Sequence, residues 1–121
     1  MLILPLLFAW FQAPLLKLEK DDLTVRESCR IRVAADWIAD RGAEGVLRIE
    51  GDGITVDFEG GLLRGAPPDR APDQFEGAGI VVTGREVTLR NARVAGFKTG
   101  ILARGADGLR LEDLDVSGNF R

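Results

Sequence analysis

Apolar and polar residues alternate in short runs along most of this chain, and glycines cut the runs at recurring places. Three segments share one pattern: GVLRIEGDGITVDFEGGLLRGA from Gly45 to Ala66, GIVVTGREVTLRNARVAGF from Gly79 to Phe97, and GILARGADGLRLEDLDVSGN from Gly100 to Asn119. Each opens with glycine and a short apolar strand. Each turns at a second glycine (Gly51, Gly84, Gly105), continues as a second alternating strand, and closes with a third short apolar piece. Alternation with a period of two puts every second residue on one face of a strand. The segments therefore align by position: Leu47 with Ile80 and Ile101, Ile49 with Val82 and Ala103, and Ile54 with Val87 and Leu109. Val56, Leu89 and Leu111 follow, and then Leu63, Val94 and Val116, all predicted to face inward.

The period is 21 residues from Gly79 to Gly100, and 34 from Gly45 to Gly79 because PPDRAPDQFEGA (67–78) is inserted. Its proline and charge content predicts a surface loop. Three short strands per period do not suit a helix-containing repeat. They suit a coil of parallel strands stacked at about 4.8 Å per turn, apolar sets inward. Upstream, Leu16, Leu18, Leu23, Val25, Ile31 and Val33 alternate suitably for a first coil, with Trp37 and Ile38 closing its end.

This pattern resembles the right-handed parallel β-helix of the pectate-lyase-like superfamily, well over 45–121 and loosely over 15–44. The expected fold is all-β: a solenoid of about four coils with an N-terminal cap over 15–44. The rival is a leucine-rich-repeat-like solenoid. Leu111, Leu114, Val116 and Asn119 match its L-x-x-L-x-L-x-x-N spacing. The preceding period has Phe97 where the asparagine should stand, and the Gly-Ile strands add a second strand per repeat. A solenoid needs a cap at each end, and this chain stops at GNFR straight after a regular coil. The expectation is that further coils, or another subunit, cover that end, and that the chain is truncated there.

Residues 1–14 form an apolar run, LILPLLFAWF at its heart, shorter than the ~18–20 residues a membrane-spanning helix needs. The reading is a signal-peptide-like segment and a secreted or periplasmic protein, with no stable membrane span. Composition narrows the chemistry. Histidine is absent, so no imidazole base or ligand is available; the single cysteine permits neither an internal disulfide nor a thiolate zinc site. A net charge of −3 argues against nucleic acid as a partner.

Function must lie on outward positions. Asp57, Arg90 and Glu112 are equivalent in successive coils and should stack as an acid–base–acid ladder on one sheet face. They are the candidate ligand-binding residues: the floor of a groove for a sugar polymer, with Arg90 holding a carboxylate or hydroxyls. The same ladder also has a purely structural use, since stacked strands avoid repulsion by alternating charge. Arg93 with Asp115 repeats the arrangement, and Asn91 with Asp113 is expected to close strands at turns. Among paired carboxylates, Asp57 with Glu112 is the best match to a hydrolase pair. Asp113, Asp115 and Ser117 match the first half of a calcium loop. There Leu114 and Val116 continue the core alternation, and the bidentate acid would fall beyond Arg121, so no metal or cofactor is assigned. The glycines do not spell a nucleotide-binding loop.

The functional expectation, resting on the resemblance, is an extracytoplasmic domain that binds a polysaccharide, or processes one in a longer parent chain. A parent enzyme would be a polysaccharide lyase or glycoside hydrolase, although no catalytic constellation lies within these residues. The alternative is a non-catalytic structural or adhesive solenoid making protein contacts. An accessory metal-handling protein is a third reading, against which the missing histidines count.

Overall fold

The computed structural model describes residues 13–42 and 44–119. The apolar segment 1–14 therefore lies almost wholly outside the described residues, as do Phe120 and Arg121. The described chain is all-β: 49% is strand, and the one helical element is a 3-10 turn at Pro72–Gln74.

Ten strands form two parallel sheets. In chain order they are β1 (Leu15–Leu18), β2 (Leu23–Val25), β3 (Cys29–Val33), β4 (Leu47–Ile49), β5 (Thr55–Asp57), β6 (Leu62–Arg64), β7 (Glu76–Val82), β8 (Thr88–Ala95), β9 (Phe97–Ala103) and β10 (Arg110–Gly118). One sheet runs β1-β3-β5-β8-β10 with β6 also paired to β8; the other runs β2-β4-β7-β9. Parallel neighbours cannot be joined by tight hairpins. Here each connection is made by a visit to the other sheet.

The registers follow the alternation of the sequence. Leu47, Ile80 and Ile101 are direct partners, as are Ile49, Val82 and Ala103. Val56, Leu89 and Leu111 form another column. Inward members of these columns fill one core containing Leu18, Ile31, Leu47, Val56, Phe58, Leu63, Leu89 and Phe97. β8 is long enough to pair β5 with its first half and β6 with its second. Between the halves, β5 and β6 are separated by Phe58–Gly61, where β8 has only Asn91 and Ala92. The chain turns a wider corner there, with Phe58 buried while Glu59 and Gly60 take left-handed backbone conformations.

Two glycine placements rest on close approach. A Cβ on Gly84 would strike the Gly51 carbonyl oxygen, and one on Gly51 would strike the Arg26 carbonyl. Three turns therefore stack backbone on backbone, which accounts for glycine at 51 and 84; Gly105 has open space around it and instead takes a left-handed conformation (φ 61°). Elsewhere Asp40, a buried polar residue, ties two distant segments together. Its Oδ2 accepts the N–H groups of Gly45 (3.1 Å) and Ala78 (2.9 Å).

Four details depart from the sequence expectation, the first being that the second and third short strands expected of the two later segments are continuous, as β8 and β10. β7 begins at Glu76, so the inserted loop ends three residues sooner than 78; Glu76 and Ala78 already pair with Phe97 and Thr99. Of the pair expected to close the first coil, Ile38 is buried but Trp37 is 42% exposed. Finally, Leu111 and Val116 sit in inward columns yet are 51% and 42% exposed. β10 is the last strand of its sheet, so nothing among the described residues covers its far side.

Candidate functional site

The pairing of β5, β8 and β10 brings Asp57, Arg90 and Glu112 side by side, as their spacing predicts. The column starts one strand earlier, because Arg30 on β3 is the partner of Asp57. Charge thus alternates over four strands: Arg30, Asp57, Arg90, Glu112. Arg90 Nε lies 3.6 Å from Glu112 Oε1. Arg30 Nη1 is 3.8 Å from Glu59 Oε2, and its Nε donates to the Ala13 carbonyl at 3.0 Å. Asp57 turns to the corner: its Oδ1 accepts the Asn91 side-chain amide (3.1 Å) and the Glu59 N–H (2.7 Å). Exposed pairs of this kind contribute about 0–1 kcal/mol each. The ladder mainly keeps neighbouring strands from repelling one another.

Beside the ladder runs a cleft of about 590 Å³ lined by Asp57, Glu59, Gly60, Asn91, Ala92, Arg93 and Asp113. The wide Phe58–Gly61 corner opens it. Asn91 (φ 57°) and Asp113 (φ 54°) stand one above the other in left-handed conformation at the corners of β8 and β10. Short polar side chains tolerate that conformation best. Three carboxyl groups line the cleft against one guanidinium, that of Arg93. Such a site accepts hydrogen bonds from hydroxyls and is unfavourable for an anionic ligand.

No protein-family model, curated protein or solved structure matches this chain. What the site can do has to be read from its own groups.

Asp57 and Glu112 are two strands apart with Arg90 between them, so the structure brings them into one ladder but not into direct contact. The calcium-loop residues divide. Asp113 lines the cleft just described, while Asp115 and Ser117 line a neighbouring hollow of about 170 Å³ with Arg93 and Gly118. The segment is strand, and Asp115 Oδ1 is occupied by the Ser117 hydroxyl (2.6 Å) and N–H (3.0 Å). Those two hydrogen bonds, with a smaller contribution from the Arg93 charge, hold the Asp115 carboxyl below its ordinary range. Among the described residues no three or more Cys, Asp or Glu side chains are gathered as for a metal ion. Nor, among them, is any helix long and apolar enough to cross a membrane.

One feature escaped the sequence reading. Trp37 lines a second cleft, of about 420 Å³, with Glu19, Lys20, Asp21 and Arg41. Asp21 Oδ2 accepts the Arg41 N–H at 2.9 Å, while its buried Oδ1 has no hydrogen-bond partner. Trp37 and Ile38 lie outside any strand, so no alternation assigns their faces, and the outward placement of Trp37 comes from tertiary contacts alone.

Proposed function

We propose that this chain is a right-handed parallel β-helix solenoid of the pectate-lyase-like kind whose ladder face binds a neutral polysaccharide outside the cytoplasm. The observation that carries the reading is the acceptor-rich cleft, where Asp57, Asn91, Arg93 and Asp113 converge next to the Arg90–Glu112 pair. Two parallel sheets fed alternately, with two strands in each 21-residue period, support the coil over a leucine-rich repeat with its single strand. The apolar run 1–14 supports export. Carboxylate and amide groups take hydroxyl hydrogens as a rigid platform, and stacked coils repeat the platform at about 4.8 Å. The acid excess selects neutral over anionic polymers.

The test is binding to soluble neutral β-glucans, xylans and mannans, with polygalacturonate as the anionic comparison. A neutral polymer should bind, and Asn91→Ala and Arg90→Ala should each weaken binding about threefold to tenfold while leaving the circular dichroism spectrum unchanged. Preference for polygalacturonate, or indifference of binding to both substitutions, would remove this face from consideration.

A second reading has its own observation. Leu111 and Val116 are large apolar residues left open at one end of the structure. They favour a solenoid that makes protein contacts there.

A further inference from the structure

We infer that Trp37 is the stacking platform of a second sugar site, one that takes the flat face of a neutral pyranose ring such as a β-linked glucose unit. The site shares no lining residue with the ladder cleft, so it goes beyond the reading above and stands or fails separately from it.

The indole sits on a pinned segment. Ala34 donates its N–H to the Leu18 carbonyl (2.9 Å), Ile38 to the Arg64 carbonyl (2.8 Å) and Arg41 to Asp21 Oδ2 (2.9 Å). Ile38 and Asp40 are buried. Residues 34–41 are thus tied to β1, to β6 and to the turn between β1 and β2, yet Trp37 among them is 42% exposed. One exposed aromatic residue needs no explanation by itself. This one forms a wall of the 420 Å³ cleft whose other walls include Glu19, Lys20, Asp21 and Arg41. That volume falls within the range of small-ligand sites, about 300–1,000 Å³. A further hollow of about 310 Å³ shares Glu19, Lys20 and Asp21, so the β1–β2 turn stands between two hollows. A chain of linked rings has room on both sides of it.

The groups select the ligand. Two acids and two bases line the cleft, so its formal charge is zero and no ionic ligand is favoured. The indole offers a flat apolar face, the carboxylates accept hydroxyl hydrogens, and the Lys20 ammonium donates to hydroxyl oxygens. A pyranose with equatorial hydroxyls is the complement: C–H groups on its faces and hydroxyls around its rim. An organic cation would also meet the indole face, but its charge would meet Lys20 and Arg41 as well as the acids. Among the described residues the cleft has one aromatic wall, not a cage. Because the platform is held by backbone hydrogen bonds, little ordering is left to be done on binding.

The chain has no tyrosine, and its two tryptophans are Trp10 and Trp37. In the full chain carrying Trp10→Phe, intrinsic fluorescence therefore reports Trp37 alone. Acrylamide should quench that emission, and cellotetraose should shift it saturably, with a Kd of about 0.1–10 mM, while protecting it from acrylamide. Glu19→Gln in the same background should weaken the response about threefold. Trp37→Ala in the natural chain, followed by saturation-transfer NMR of the oligosaccharide, should weaken binding about tenfold with the circular dichroism spectrum unchanged. If acrylamide quenches Trp37 but cellotetraose leaves its emission unmoved, the indole is no sugar platform. If acrylamide fails to quench it, the indole is covered in the full chain and the inference falls. A response to tetramethylammonium chloride without one to cellotetraose would replace the sugar by a cation. Oligosaccharide binding that survives Trp37→Ala and leaves the emission unmoved belongs to the ladder cleft; that reading then stands while this one is overturned.

Discussion

Leu89 and Leu111 occupy one column, joined by direct pairing of β8 and β10. The same side chain thus stands in two environments: Leu89 is fully buried, Leu111 is 51% exposed. Leu89→Ala removes a buried isopropyl group and leaves a cavity beside Val56 in the core, costing about 2–5 kcal/mol. Leu111→Ala removes groups that keep half their contact with water and opens no enclosed cavity, so its cost stays below about 1 kcal/mol. A chain of this length has a total stability on the order of 6–18 kcal/mol, so the first change takes a large share of it and the second little. Urea unfolding followed by circular dichroism, with linear extrapolation, resolves that difference. Edge strands open locally more readily than central ones, so Leu111→Ala should speed amide exchange in β10 more than in β8. The reasoning fails if both substitutions cost the same in dilute solution. A Leu111→Ala cost that grows with protein concentration would instead identify Leu111 as buried by association.

Other outcomes follow from single contacts. Asp40→Ala leaves the Gly45 and Ala78 N–H groups without their acceptor and should cost about 2–5 kcal/mol in the same unfolding assay, whereas Asp40→Asn, which keeps an acceptor oxygen, should recover most of the loss. Gly84→Ala drives a methyl into the Gly51 carbonyl and should cost about 1–3 kcal/mol; a Gly84→Ala protein of wild-type stability would mean the turns do not stack. Burial pushes the Cys29 thiol up to about 11 from its ordinary 9.0. Below pH 9 both states keep the thiol neutral and stability is unaffected; between pH 9 and 11 the unfolded chain ionises first, so stability falls by about 2–3 kcal/mol. That decline should vanish in Cys29→Ala, and its persistence there would assign it to other groups.

The inward columns could be read from the sequence because two physical signals agree on them. Strand alternation assigns a face, and the glycines at 51, 84 and 105 fix the phase from one coil to the next. The ladder of Asp57, Arg90 and Glu112 followed from the same phase. Arg30 did not, because no glycine-marked segment leads from it to Asp57, and its coil lacks the opening pattern of the others. The wide corner at Phe58–Gly61 was hidden for a related reason: Phe58 continues an apolar alternation that says nothing of two extra residues turning the chain. Asp40 and Trp37 lie between β3 and β4, where no repeat supplies a phase, so their places come only from tertiary contacts.

Exposure of Leu111 and Val116 is of another kind. Alternation says which way a side chain points; whether anything stands there to meet it depends on the next strand. Within the sheet each acid of the ladder faces a base on a neighbouring strand, and the columns are close to neutral. Glu112 and Asp115 keep to that pattern, each beside an arginine of β8, so what the last described strand leaves open is apolar: Leu111 and Val116.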